Sequence, residues 1–332
     1  MSERKPIVVS GVPKERLDRF GVSWPEDWDV SYTERIYTPE YISKAEYLLV
    51  RAMDPLTAEM IDSAPNLKCI HTDGVSFNLI DIDHAASKGI MVCNCKGGNA
   101  ISVAEHTVGL VLDCVKHITH LDRKIRRDGY KATSDGFMKM MPHEIGGLTV
   151  GMVGMGAIGR EVLKRLVPWG AKLIYYDPYP MPAEMEAQYG VTHVELDELC
   201  KTADVITVHL PVIPSTLGMF DKPQFDIMKD GVILINVARG QVVVKEPLME
   251  ALESGRVGYY GADVFWDEPM PDDDPFLHMS ESVMDRVVMT THGAGRTTEA
   301  FGRMLEWAAQ AFVDYENGIV PKNVVNGVTE LK

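Results

Sequence analysis

Short apolar runs rich in valine and isoleucine recur along the chain, separated by stretches whose apolar residues fall at helical spacing. In the first third the runs are IVVS (7–10), YLLVRA (47–52), LKCIHT (67–72) and IMVCN (90–94). They resume as TVGMVG (149–154), KLIYYD (172–177), VITVHL (205–210), VILINVA (232–238), GYYGADVF (258–265) and RVVMTTH (286–292). Strands with one wet face alternate apolar and polar residues. These runs are continuous, as expected for parallel strands covered by helices on both faces. The pattern predicts an α/β chain with two doubly wound parallel-sheet units.

Two long helical patterns stand at the joints. NAISVAEHTVGLVLDCVKHITHLDRKIR (99–126) reads as one helix, with Asn99 and Ser102 as candidate caps. TTEAFGRMLEWAAQAFVDYENG (297–318) ends at Asn317-Gly318 with Pro321 just beyond, a stop signal. If this second helix returns to the first unit, that unit is built from both termini. Its segments are then 1–100 and 297–332, flanking a second unit of 101–296.

Composition narrows the function classes. A chain of 332 residues has room for two domains, and 45% hydrophobic content supplies their cores. A formal net charge of −15 disfavours nucleic acid or an anionic membrane as partner. The densest basic cluster, RKIRR at Arg123–Arg127, reads as a solvated helix end. MSERKPIVVSGV at the N-terminus has no apolar stretch of signal-peptide or membrane-span length. Five cysteines (Cys69, Cys93, Cys95, Cys114 and Cys200) lie in apolar contexts, which suggests reduced thiols in a cytoplasmic protein. CNC at 93–95 lacks a second pair at zinc spacing, and His117 and His120 lack a metalloprotease glutamate, so no metal is expected.

Chemistry enters at LTVGMVGMGAIGREVLKRL (148–166). Gly154, Gly156 and Gly159 form G-x-G-x-x-G between a predicted strand and a predicted helix. The first glycine permits a tight turn, the second lets a pyrophosphate approach the backbone, and the third lets helix and strand pack closely. The helix N-terminus offers free N–H groups and a positive dipole end. The next strand ends in Asp177, whose carboxylate suits a ribose 2′-hydroxyl and repels a 2′-phosphate. With no arginine in the following PYPMP, NAD is expected rather than NADP.

Open parallel sheets place their ligands beyond the carboxyl ends of the strands. There the last three predicted strands deliver Arg239, Glu268 and His292. This set suits a 2-oxo acid. Arg239 can hold a carboxylate through a fork of donors, and His292 can pass a proton to the carbonyl oxygen during hydride transfer. Glu268 can pair with His292 and orient its ring. Singly, each has a plainer reading as a surface ion pair, a loop residue or a core histidine; together at strand ends they favour catalysis.

The chain resembles the NAD-dependent D-2-hydroxyacid dehydrogenases. The resemblance runs through NAISVAEHTVGLVL, GMVGMGAIG, VITVHLPVIPST, ILINVARGQVV, GADVFWDEPMP and THGAGRTTEA. It implies a Rossmann nucleotide-binding domain inserted into a discontinuous, flavodoxin-like substrate domain, with Arg239, Glu268 and His292 in the roles above. It also implies Ala157, Ile158, Pro211, Thr216, Ala238 and Asp263 along the cofactor, and backbone N–H groups of Gly74 and Val75 toward the substrate carboxylate. Arg51 and Asn99 stand where relatives of phosphoglycerate-dehydrogenase type contact larger acids. A homodimer through the nucleotide domain, and a short form without an appended regulatory domain, are further implications.

Three positions depart from the family pattern. Thr291 replaces a proline before the histidine, Ser76 replaces the second glycine of the carboxylate loop, and Ala52 follows Arg51 in place of a frequent serine. The expectation is therefore an NAD(H)-dependent oxidoreductase acting on a small D-2-hydroxy or 2-oxo acid. Alternatives are an NADH-sensing corepressor-like binding protein or, among enzymes, a phosphoglycerate or phosphite dehydrogenase. Formate dehydrogenase is disfavoured, because its histidine pairs with glutamine where this chain has Glu268.

Overall fold

The computed structural model describes residues 5–34, 37–137 and 140–332; residues 1–4, which open the charged N-terminal stretch, lie outside them. The chain divides into two compact units, Met1–Asn99 with Arg296–Lys332, and Ala100–Gly295.

The first unit is built on five parallel strands: β1 (Ile7–Ser10), β2 (Asp29–Tyr32), β3 (Tyr47–Val50), β4 (Cys69–Thr72) and β5 (Met91–Cys93). Their order is β2-β1-β3-β4-β5, the flavodoxin-like arrangement. Successive residues of one strand enter opposite cores, which is why the apolar runs are unbroken. Leu48 and Val50 join Ile42, Ile61 and Leu67 on one face; Tyr47 and Leu49 meet Leu305, Ala308 and Phe312 on the other. Those last three residues belong to the helix Thr298–Glu316, whose N-terminus is capped by the Thr297 side chain accepting from the Ala300 N–H. Fully burying each large aliphatic side chain contributes roughly 1.5–3 kcal/mol. Lys68 Nζ, 2.6 Å from Glu316, ties the helix end to the sheet.

The second unit holds seven parallel strands: β6 (Thr149–Val153), β7 (Lys172–Tyr176), β8 (Val191–His193), β9 (Val205–Val208), β10 (Val232–Asn236), β11 (Val257–Ala262) and β12 (Val287–Met289). Their order is β12-β11-β10-β9-β6-β7-β8, so the winding reverses at β6, between β9 and β7. This is the Rossmann arrangement, and its ligand crevice lies at that reversal. Ile233 and Ile235 pack toward Leu110, Cys114 and Leu163 on one face, while Val232 and Leu234 meet Phe225 and Leu252 on the other.

Four local expectations need correction. Strands β2 and β8 were absent from the sequence pattern: both are short outer strands, and β2 is mostly exposed, so neither carries a continuous apolar run. The 99–126 helix is two, Ala100–Lys116 and Ile118–Asp128, broken at His117 with φ 57°. His117 stacks on Tyr259 with ring centroids 4.3 Å apart, and His120 Nδ1 meets the Tyr259 hydroxyl at 2.9 Å, so tertiary contacts hold the break. Ser102 is no cap, because its hydroxyl donates to the Ala294 carbonyl. Nor is RKIRR wholly a solvated end: Arg127 pairs with buried Asp285 at 2.8 Å, and Arg123 donates to the Val287 carbonyl at 2.9 Å.

Candidate active site

The glycine loop joins β6 to the helix Ala157–Leu166. Gly154 has φ 98°, a conformation that side chains resist, and a Cβ there would lie 3.0 Å from the His209 carbonyl. A Cβ on Gly159 would fall 2.1 Å from the Gly154 oxygen, so only glycine lets the helix start against the strand. At Gly156 no atom lies within 4 Å of a would-be Cβ, which leaves the backbone open to a large anion. The carboxylate of Asp177 is fastened to this loop: Oδ2 accepts from Met155 N–H at 2.6 Å and Oδ1 from Tyr179 N–H at 2.9 Å. Each oxygen keeps a lone pair for a further donor such as a ribose hydroxyl.

His209, which the motif reading passed over, follows β9 at the same crevice. Its Nε2 meets Thr207 Oγ1 at 3.0 Å, and its buried Nδ1 has no partner among the described residues. Burial pushes its pKa down to about 3, so the ring is neutral near neutral pH. An open glycine cradle, a fixed aspartate and an orphaned imidazole nitrogen together fit a dinucleotide. Pro211 and Thr216 close the adjoining loop, with Thr216 Oγ1 donating to the Pro211 carbonyl at 2.5 Å. Ala157 is exposed and Ile158 half-buried at the first turn of the helix.

Three further loops carry Arg239, Glu268 and His292. At the end of β10, Asn236 folds the chain by accepting from Ala238 N–H at 3.1 Å and donating to the Arg239 carbonyl at 3.0 Å. This turns Arg239 outward, exposed, with Nη1 resting on the Ala238 carbonyl at 2.7 Å. The next residue presses on the Glu268 loop: a Cβ on Gly240 would sit 2.1 Å from the Phe265 carbonyl carbon and 2.4 Å from the Trp266 nitrogen. Trp266 Nε1 donates to the Val243 carbonyl at 2.6 Å, and Gln241 Nε2 to the Trp266 carbonyl at 2.8 Å, so the two loops are stitched together.

Glu268 reaches in two directions. Its Oε1 accepts from Phe265 N–H at 2.9 Å, and its Oε2 meets Nδ1 of His292. His292 has φ 51°, a strained conformation for a residue with a side chain. It is held by Asp263, only 1% exposed, whose carbonyl accepts from His292 N–H at 2.8 Å. The Asp263 carboxylate takes Thr290 O–H at 2.6 Å and the N–H groups of Gly293 and Ala294, both at 2.9 Å. Asp263, expected along the cofactor, anchors the histidine loop.

In the first unit, Arg51 follows β3 and Gly74, Val75 and Ser76 follow β4; all four are half-buried. The 74–76 loop faces its carbonyls inward. Gly74 O accepts from Thr72 Oγ1 at 2.6 Å and Cys95 N–H at 2.9 Å, and Val75 O accepts from Asn94 Nδ2 at 2.7 Å. Among the described residues nothing pairs with the Gly74 or Val75 N–H. Asp73 fixes the approach, accepting from Ala52 N–H at 2.8 Å and pairing with Arg16 at 3.2 Å. Burial pushes its carboxyl pKa up, against the pull of that N–H and of Arg16 and Arg51. Asn99 stands half-buried just before the Ala100–Lys116 helix. Asp73, Asn94 and His209 lacked a sequence signal: each acts through a contact distant along the chain or through burial.

A family model, D-isomer specific 2-hydroxyacid dehydrogenase, NAD binding domain, matches residues 108–294. D-3-phosphoglycerate dehydrogenase of Archaeoglobus fulgidus is 38% identical over 285 residues, 86% of this chain and 52% of that protein. The chain thus spans about half the length of that relative. Glyoxylate reductase of Korarchaeum cryptofilum is 32% identical over 287 residues, 86% of this chain and 84% of that protein. Among solved structures, D-lactate dehydrogenase from Aquifex aeolicus, complexed with NAD and lactic acid, is 30% identical with a TM-score of 0.76. The match covers 97% of this chain and 99% of that one. With a family model over more than half its length and a relative matched along most of both chains, the protein belongs to the D-isomer specific 2-hydroxyacid dehydrogenase family.

Proposed function

We propose that this chain is an NAD-dependent dehydrogenase that interconverts a small D-2-hydroxy acid and its 2-oxo acid. The observation that carries the reading is the His292–Glu268 pair, on loops stitched to Arg239 in the unit that holds the glycine cradle. The unit of 100–295 is the NAD-binding domain in this reading, and that of 1–99 with 296–332 the substrate domain. Gly154, Gly156, Ala157, Ile158 and Gly159 receive the pyrophosphate, and Asp177 a ribose hydroxyl. Pro211, Thr216, Ala238 and Asp263 line the rest of the cofactor's path.

A bound nicotinamide supplies the hydride in reduction and takes it in oxidation. The chain's own residues bind the acid and manage the proton. Arg239 holds the carboxylate with its guanidinium fork, and within the substrate domain the Gly74 and Val75 N–H groups, which pair with nothing among the described residues, are donors suited to an acid group. Because Nδ1 of His292 is engaged by Glu268, Nε2 is the nitrogen left to exchange a proton with the substrate oxygen. In reduction that proton goes to the carbonyl oxygen as hydride reaches the carbon; in oxidation both return. Arg51, Ser76 and Asn99 select among substrate side chains.

A homodimer through the second unit, the commonest closed assembly, completes this reading. Light scattering behind a sizing column tests that state. All five cysteines are free and buried, which supports a reducing, cytoplasmic setting; cell fractionation tests it. Among the described residues no helix is long and apolar enough to cross a membrane.

The central experiment follows NADH absorbance with a panel of 2-oxo acids: glyoxylate, hydroxypyruvate and its 3-phosphate, pyruvate, and branched and aromatic homologues. Oxidation of NADH with at least one is expected. Silence across the panel, with NADH binding intact, would overturn the enzymatic reading and favour a dinucleotide-sensing role.

A further inference from the structure

NAISVAEHTVGLVL contributes to the family resemblance, yet nothing in the chemistry above uses its histidine. We propose that His106 is a positioning residue for His292. From the Ala100–Lys116 helix it fixes the loop that carries the acid/base group, with Ser102 as a second point of attachment. The inference rests on the dehydrogenase reading and adds residues to its machinery.

His106 is half-buried, and its Nε2 lies 3.0 Å from Thr290 Oγ1. A threonine hydroxyl has one proton to give. Thr290 gives it to Asp263 Oδ1 at 2.6 Å; its other acceptor, the Ala262 carbonyl, is at 3.5 Å. In the contact with His106 the hydroxyl oxygen therefore accepts, and Nε2–H donates. One helical turn earlier, on the same face of the helix, Ser102 donates to the Ala294 carbonyl.

The two attachments fall two residues before and two residues after His292. Asp263, whose Oδ1 lies 3.9 Å from His106 Nε2, gathers the same loop through Thr290 O–H and the N–H groups of His292, Gly293 and Ala294. His292 needs such a clamp. Its φ of 51° costs free energy that the surroundings must offset, and relaxation would swing the ring away from Glu268. Thr291 stands where the family pattern has a stiffening proline, so this loop depends on its attachments. Hydrogen bonds from the helix supply that restraint.

The test uses the full-length protein and two variants of one residue. His106→Gln keeps an N–H donor at the position of Nε2, whereas His106→Phe keeps the bulk and removes the donor. For reduction of the best substrate, the Phe variant should lose kcat by roughly 10- to 100-fold, the scale of a misplaced catalytic group. KM and NADH affinity should change little, and the Gln variant should retain most of wild-type kcat. NMR of the ligand-free protein gives a readout independent of turnover. The downfield Nδ1 proton of His292, present in the wild type and the Gln variant, should broaden or vanish in the Phe variant. Thr290→Val, compared with Thr290→Ser, repeats the test if His106→Phe does not fold.

Wild-type-like kcat with an unchanged Nδ1 proton in the Phe and Val variants would overturn the proposal. So would equal losses in the Gln and Phe variants, which mark a merely structural role. If the wild type reduces no 2-oxo acid but the Nδ1 proton still depends on His106, the dehydrogenase reading fails and the positioning contact stands.

Discussion

At the scale of single residues, division of labour follows from which atoms are already engaged. His292 has one ring nitrogen on Glu268, so replacing it with alanine removes the proposed proton donor and leaves the glycine cradle untouched. His292→Ala should lower kcat by roughly 10²- to 10⁴-fold while NADH binds as before, checked by steady-state kinetics and NADH fluorescence titration. Unchanged turnover would remove His292 from the mechanism. Arg239 is exposed with four of its five donors uncommitted among the described residues, since only Nη1 donates, to its neighbour's carbonyl. Arg239→Lys replaces a planar fork with a point charge. It should lower kcat/KM roughly 10- to 100-fold, the worth of about one charge-assisted hydrogen bond. An unaltered inhibition constant for oxalate or another oxo-acid analogue would show that the anchor lies elsewhere.

At the scale of elements, the candidate site depends on loops that touch. Gly240 and the Phe265–Trp266 backbone approach too closely for any side chain, which makes Gly240→Ala informative. The added methyl runs into the Phe265–Trp266 peptide, so the Arg239 and Glu268 loops must part. A loss of about 1–3 kcal/mol in unfolding free energy is expected from overpacking. At least a tenfold fall in kcat/KM should accompany it, measured by urea unfolding and by kinetics. Wild-type kinetics in a destabilised variant would mean that the contact supports the fold alone. Most strands were legible in the sequence because burial on both faces leaves an unbroken apolar run, as in Val232–Asn236. The outer strands β2 and β8 were not, and neither was the helix break at His117, which comes from Tyr259 far along the chain. The glycine loop was legible because turn, cradle and close packing each demand glycine at a fixed spacing. The clamp on His292 was not: Ser102, His106 and Asp263 meet it only after folding.

For the whole molecule, acid should be destabilising well before the carboxylates titrate. His71 in the first unit, and His117 and His209 in the second, have pKa values pushed down to about 4, about 4 and about 3. Burial is the main cause for each, with His120 and His143 adding repulsion at His117. An unfolded histidine titrates near 6.5, so in the window below about pH 6.5 and down to about pH 4 the unfolded chain binds protons that the folded chain refuses. Stability is therefore complete above about pH 6.5 and declines as pH falls, by up to about 1.4 kcal/mol per pH unit for each histidine. Urea midpoints measured at about pH 7.5, 6 and 5 should fall in that order. A flat profile across this range would show that the folded chain admits these protons freely.

The residues in order determined the α/β class, the parallel sheets, the place of the dinucleotide cradle and the strand ends from which Arg239, Glu268 and His292 project. Local physics suffices for these, because strand burial, helix termini and glycine turns act over a few neighbouring residues. Tertiary structure alone decided which donors meet which acceptors. It put Glu268 on Nδ1 of His292, and turned a serine expected to cap a helix into a brace for that loop. It also buried one nitrogen of His209 without a partner among the described residues. Hydrogen bonds form or fail over tenths of an ångström, and residues 24 or 192 positions apart reach that range only when the sheets and helices have closed around them.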